Sequence, residues 1–340
     1  MVADRTPISL DRRRVVAGGA ASAVVLSAPW VRKARAAGLD EVRMSVWGPR
    51  LAEEGNVYVS EEKGYFKDQG IQLKWVTSNG SGDALKNLIA GNSDIAFVGP
   101  ESVILAADKG ARLKIIYDLY PQNFFNVFAL KEKQIITPRD LRGKKVGVIS
   151  MAAGVRYNLA TILFTNGMTE RDVEPIAVGL NATPAILNGS VDAMASTDVL
   201  LYGMQRKGLG AVDVIWARDY LNISGDVLAV QEQGFEEKKD LWLRFLRAYR
   251  KGVEFMIRDP EETAAITAKY ALDGKDAPMV SASIKLRIIS SQSAGTRKHG
   301  LGWIDVTPLQ EAVKIYKAAG FINSDLNIAD YLTNQLIQEL

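Results

Sequence analysis

The chain has 340 residues, 47% hydrophobic and 24% charged, enough apolar material to build a substantial core in one large domain or two lobes. Its formal charge of +3 comes from the N-terminus: the first 36 residues hold seven Lys/Arg and two Asp/Glu, leaving 35 basic against 37 acidic residues beyond them. A basic overall balance is therefore no argument for nucleic acid as a partner, and the absence of cysteine excludes a disulfide framework, a thiol nucleophile and a lipid anchor on cysteine.

The N-terminus has the order of an export signal. Arg12, Arg13 and Arg14 precede a mild, small-residue apolar run over 17–28, followed by Arg32, Lys33 and the Ala34-Arg35-Ala36 triplet. Paired arginines before so weak an apolar stretch predict the twin-arginine route, with cleavage near Ala36. The run is too short and too rich in glycine to span about 30 Å of hydrocarbon, and no later stretch reaches the roughly 18 apolar residues a spanning helix needs. Residues 1–37 are thus assigned to a cleaved signal and the mature protein to a bacterial periplasm.

From residue 42 onward, strand and helix patterns alternate, which predicts mostly parallel sheets flanked by helices. Strands are predicted over 42–47, 71–77, 94–98 and 113–117. Helices over 55–63, 83–90 and 102–109 are stopped by Gly64, Gly91 and Gly110. After an extended stretch at 125–130 the order restarts: strand 145–149, helix 154–165 ended by Asn166-Gly167, then 172–178, 183–188, 193–196, 199–206 and 212–216. A second extended stretch, 226–231, closes this unit, and the two stretches are predicted to pair as crossing strands that act as a hinge. Beyond Glu236 the pattern is helical, with Leu241, Phe245, Ala248, Tyr249 and Gly252 on one face and Pro260 opening the next helix. The division predicted is one lobe from 38–130 plus 230–340 and a second from 131–229.

The run from Tyr58 to Ile71, containing Lys63-Gly64-Tyr65-Phe66 and then Gly70-Ile71, resembles a segment of periplasmic binding proteins for nitrate, taurine, alkanesulfonates and thiamine-precursor pyrimidines. Leu88 to Ala96, Leu141 to Val148 and Ile186 to Ala193 agree with that family in order and spacing. Each motif also has a plain structural reason, since glycines end helices and turn the chain into strands. The resemblance implies a two-lobed α/β fold of the second periplasmic-binding-protein type, not an enzyme. It also implies a small polar or anionic ligand held between the lobes without a cofactor or metal, an inner-membrane ABC permease and ATPase as partners, and a monomer. A ligand-sensing receptor remains open beside the importer component.

In open α/β sheets the ligand crevice lies outside the carboxyl ends of the strands. That rule selects Trp47 and Arg50, then Asn79, Gly80 and Ser81, then Gly99 and Glu101, then Gln122 and Asn123 from the first unit. From the second it selects Ser150, Met151, Ala152, Gly154 and Arg156, then Asn181 and Thr183, then Thr197 and Asp198. The turns at 79–82 and 150–154 open helices, so their free N–H groups suit an anionic or strongly accepting group, or serve only as helix starts capped by Ser81 and Ser150. Trp47 either stacks on a planar ligand or packs in the core. Arg50 and Arg156 are candidate forks for a carboxylate or sulfonate. Glu101 favours a ligand with N–H donors, or merely complements a helix dipole.

Fungal thiamine-pyrimidine synthases share the family fold, but they carry a cysteine-rich motif and use a histidine in the site. Here cysteine is absent, the single histidine is His299 in a remote loop, and there is no Gly-x-Ser-x-Gly elbow or metal-ligand spacing.

Overall fold

The computed structural model describes residues 38–340 apart from Ala152; the twin-arginine segment and its cleavage point lie outside the described residues. In chain order, β1 (Asp40–Val46) leads to α1 (Gly55–Glu62) and the short α2 (Tyr65–Asp68), then β2 (Ile71–Thr77), α3 (Ser81–Ile89), β3 (Ile95–Val98), α4 (Pro100–Asp108) and β4 (Leu113–Asp118). The second run is β5 (Phe125–Leu130), β6 (Lys145–Val148), α5 (Gly154–Thr165), β7 (Glu174–Ala177), α6 (Ala182–Leu187), β8 (Ala193–Thr197), α7 (Asp198–Arg206), β9 (Val212–Trp216) and β10 (Val227–Gln231). Helices complete the chain: α8 (Lys239–Arg258), α9 (Pro260–Tyr270), α10 (Ala277–Ser290), α11 (Ala294–His299), α12 (Val306–Ala318) and α13 (Gln335–Gln338).

The strands form two five-stranded sheets of the same wiring, β2-β1-β3-β10-β4 and β7-β6-β8-β5-β9. In each, four strands run in one direction, and the fourth in order is an antiparallel visitor: β10 between β3 and β4, β5 between β8 and β9. The molecule is an α/β fold of two lobes, one sheet to each. Alternation in β1 is the period-2 signature of a strand that feeds cores on both faces: Val42, Met44 and Val46 enter one cluster while Ser45 is buried on the other side. In α8 the buried positions Trp242, Phe245, Ala248, Tyr249, Gly252, Val253 and Met256 follow the helical period against α1.

The predicted hinge pairing is corrected. β5 and β10 each hydrogen-bond inside their own sheet, and the chain passes between lobes just outside them, over 119–124 and 217–226. There the two passages lie side by side: Leu119 N–H donates to the Asp226 carbonyl at 3.0 Å, Gly225 N–H to the Tyr120 carbonyl at 2.8 Å, and Asn123 N–H to Asn222 Oδ1 at 2.8 Å. The strand predicted over 172–178 shortens to Glu174–Ala177, because Asp172 is used in a turn where its carboxylate accepts the Thr169 N–H at 2.8 Å.

The largest apolar cluster runs from Val42 and Val46 under the first sheet, through Leu119, Tyr120, Phe124 and Phe125 in and beside the first passage, to Val146 and Leu159 in the second lobe. One core thus crosses the lobe boundary. Among the described residues no helix is long and apolar enough to cross a membrane.

Candidate functional site

The loops after β1, β2 and β3 are tied to one another at the carboxyl edge of the first sheet. Gly80 N–H donates to the Trp47 carbonyl at 2.7 Å, and Ser81 Oγ accepts the Gly99 N–H at 3.0 Å, so Ser81 fastens the next loop and does not cap its own helix. Asn79 stays exposed beside them. The Trp47 ring packs on the main core, with Nε1 buried and without an acceptor among the described residues. Glu101 follows in the first turn of α4, 2% exposed. Burial drives its carboxyl up to about 7 against the pull of a backbone N–H.

Across the lobe boundary Glu101 meets the start of α5. A Cβ placed on Gly154 would lie 3.0 Å from Glu101 Oε1 and 3.2 Å from Phe125 Cζ, so a side chain there would crowd the carboxylate. The helix start predicted to receive an anionic group from the ligand therefore already faces a carboxyl supplied by the other lobe. Ser150 and Met151 lie exposed at the lip of the same turn, and Ala152 is outside the described residues.

Further acids line this region, Asp226 buried and Glu53 partly buried. Glu53, at the entry to α1, and Asp226, in the return passage, both have carboxyls raised by burial. At Asp226 the charges of Glu101 and Glu53 push the same way, while Arg287 opposes. Arg287 of α10 is wholly buried, over the Phe124 ring at 4.2 Å and the Tyr120 ring at 5.1 Å, and it hydrogen-bonds Asp198 at the start of α7. Burial disfavours its charge, but Asp198, Glu53 and Asp226 outweigh that and keep it protonated.

The other predicted residues are occupied elsewhere. Arg50 donates to Glu61 through Nη2 at 2.5 Å, with its buried Nε without an acceptor among the described residues, and lies over the Tyr58 and Trp75 rings. Arg156 embraces Glu170 through two nitrogens at 2.8 and 2.7 Å and also donates to the Met151 carbonyl. Gln122 holds the end of α10 through the Gln292 and Ser290 carbonyls, and Asn123 is buried in a chain to Asn158 and the Phe125 N–H. Thr197 caps α7. Asn181 is exposed, and Thr183 lines a different groove with Gly203 and Met279.

Sequence reasoning passed over Arg287, Asp226 and Glu53. One signal was there for Arg287: it falls on the buried stripe Val280, Ser283, Ile284, Arg287 and Ser290 of α10, and a cation on an apolar stripe needs a buried partner. What the assembled region offers is carboxyls that accept N–H donors, protonated ones that donate, one guanidinium and the indole of Trp47.

Residues 52–263 match the family model described as NMT1/THI5 like. The riboflavin-binding protein RibY of Chloroflexus aurantiacus is 25% identical over 289 residues, covering 82% of this chain and 81% of that protein. The 4-amino-5-hydroxymethyl-2-methylpyrimidine phosphate synthase of Aspergillus parasiticus is 28% identical over 138 residues, 40% of each chain. Among solved structures, the periplasmic aliphatic sulphonate-binding protein SsuA of Escherichia coli superposes with a TM-score of 0.71 at 17% identity, covering 86% of this chain and 92% of that one, a likeness of fold. With the two wired-alike sheets, the shared core and a family match over well more than half its length, this chain belongs to the NMT1/THI5-like family.

Proposed function

We infer that the chain is an exported solute receptor that captures a flat, neutral heterocycle bearing N–H donors, of the pyrimidine or flavin kind, and delivers it to an inner-membrane ABC permease and ATPase. The observation that carries this reading is the buried Glu101 carboxyl facing Gly154 at the start of α5. An anion brought to that helix start would meet a carboxylate, whereas an N–H donor would find an acceptor. Buried Asp226 and partly buried Glu53 add to the same preference, and the arginines that a sulfonate or nitrate would need, Arg50 and Arg156, are paired with Glu61 and Glu170, Arg50 through Nη2 and Arg156 through its fork. The reading agrees with a relative named for riboflavin and runs against the anionic ligand that the loop pattern suggested.

Calorimetric titration of the full chain with riboflavin, 4-aminopyrimidine, taurine and nitrate tests it. Binding of a heterocycle and silence from the two anions is the expected outcome; binding of taurine or nitrate alone overturns it. Bound ligand should raise the melting temperature without being consumed, since a receptor gains stability by mass action and has no turnover. For export, Arg12→Lys combined with Arg13→Lys is expected to leave precursor in the cytoplasm, seen by fractionation; mature protein in the periplasm would refute the twin-arginine route.

A further inference from the structure

Among the described residues, only one of the three guanidinium nitrogens of Arg287 makes a hydrogen bond. Nη2 donates to Asp198, which belongs to the second lobe, while Arg287 itself stands on α10, which packs with the first-lobe helices α8 and α9 and also meets α7, where Arg206 pairs with Asp276. Nη1 lies 3.7 Å from Glu53 Oε2, too far for a hydrogen bond, and neither Nε nor Nη1 has an acceptor among the described residues. The side chain has no solvent exposure, and its guanidinium carbon lies 4.2 Å from the Phe124 ring and 5.1 Å from the Tyr120 ring of the first passage. Leaving donors of a buried guanidinium unfilled is costly.

We propose that Arg287 joins solute capture to lobe closure: through Asp198 it latches the second lobe to the first, and its remaining Nε and Nη1 donors read an acceptor oxygen on the solute. The ligand edge that fits is a ring carbonyl next to an N–H, a lactam or imide edge, with the carbonyl on Arg287 and the N–H on a neighbouring carboxyl. The latch needs nothing beyond the observed ion pair. The ligand half rests on the solute-receptor reading and gives it a chemical edge to recognise. Asp198 is suited to the latch because its own backbone is anchored: its N–H donates to the Phe124 carbonyl at 3.1 Å, next to the ring on which Arg287 lies.

Two variants of the full chain separate the halves, with circular dichroism as the check on folding. Small-angle scattering with no added ligand reads the latch: Asp198→Asn is expected to increase the radius of gyration, and Arg287→Lys, which keeps a charge for Asp198, to leave it unchanged. Riboflavin fluorescence reads the ligand half: Arg287→Lys is expected to weaken riboflavin about tenfold or more, the loss of a charged donor that lysine cannot replace in two directions. An unchanged radius in Asp198→Asn overturns the latch, with Asp198→Ser as the alternative should the first variant fail to fold. Unchanged riboflavin affinity in Arg287→Lys overturns the ligand half. If wild type ignores riboflavin, the flavin reading fails with the ligand half, and the scattering result still decides the latch.

Discussion

The two lobes share a wiring diagram and differ in how they are backed. In the first, the seven-residue β1 pairs along its full length with β2, and α1 lies buried between the sheet and the helices α8 and α9. In the second, β6 and β7 pair over four residues, and β7 is only half-buried at best. The same topology therefore supports a thick lobe, backed by a C-terminal helical layer, and a thin one, whose core is partly that of the passages. Stability should reside in the thick lobe and mobility in the thin one.

The largest effect expected from that contrast is on core truncation. Phe245 of α8 is fully buried, its ring 5.3 Å from Phe66 and 6.2 Å from Tyr249, so Phe245→Ala should cost about 3–5 kcal/mol. Ile176, half-buried on the edge strand β7, should cost about 1 kcal/mol on the same truncation, because it leaves a space that solvent and neighbours fill. Urea denaturation compares them; equal losses would mean the lobes are equally braced.

Next in size is a pH effect of buried acids, with Glu101 at the boundary between the lobes. Glu101 is raised to about 7, so between its unfolded value and that point the folded chain holds a proton the unfolded chain has released, and stability falls as pH rises through this window. At full ionisation the loss for this one group is on the order of 3 kcal/mol. Asp118 in the first lobe, raised to about 8 by burial despite the Ser224 hydroxyl that donates to it at 2.5 Å, has the same sign. The denaturation midpoint should fall from pH 5.5 to pH 7.5, and Glu101→Gln should flatten that slope. A slope unchanged in the variant would place the acid elsewhere.

Much of this architecture was legible in the sequence, because it rests on local rules. Helix α5 and strands β2, β5 and β9 begin and end where pattern and glycine punctuation put them. The loops that meet at the carboxyl edge of the first sheet also followed from a topological rule. What local pattern does not reveal is the partner of a charge. Arg50 and Arg156 look available in sequence, yet Glu61 and Glu170, 11 and 14 residues away, occupy them. Arg287 drew no reading from the sequence, because its partner lies 89 residues away in the other lobe. β5 and β10 were paired in expectation for the same reason: both are apolar and extended, and only the closed sheets decide whom they join.

A close approach separates the lobes on a smaller scale. A Cβ on Gly252 of α8 would run into the backbone of Asn56 and the hydroxyl of Ser60, and neither helix can yield without parting from the other. On Gly147 of β6 it would meet Met194 Sδ at 2.7 Å, the flexible part of a side chain that can turn aside. Gly252→Ala is therefore expected to cost about 2–3 kcal/mol and Gly147→Ala about 1 kcal/mol or less, measured by thermal unfolding. The reverse order would show that the α1–α8 contact is the softer of the two.

The smallest effect concerns the ion pair inside the thin lobe. Arg156 and Glu170 are each a little under a quarter exposed and lie in one lobe, whereas Arg287 and Asp198 are buried and join two. Partly solvated pairs contribute little, so Glu170→Gln should change stability by less than about 1 kcal/mol. The substitution also frees the Arg156 fork beside the turn at Met151, where a sulfonate clamp was expected. If Arg156 serves only its own lobe, taurine should bind Glu170→Gln no better than wild type. A gain in taurine affinity would mean that Glu170 had been masking an anion site, and that the thin lobe is built to offer it.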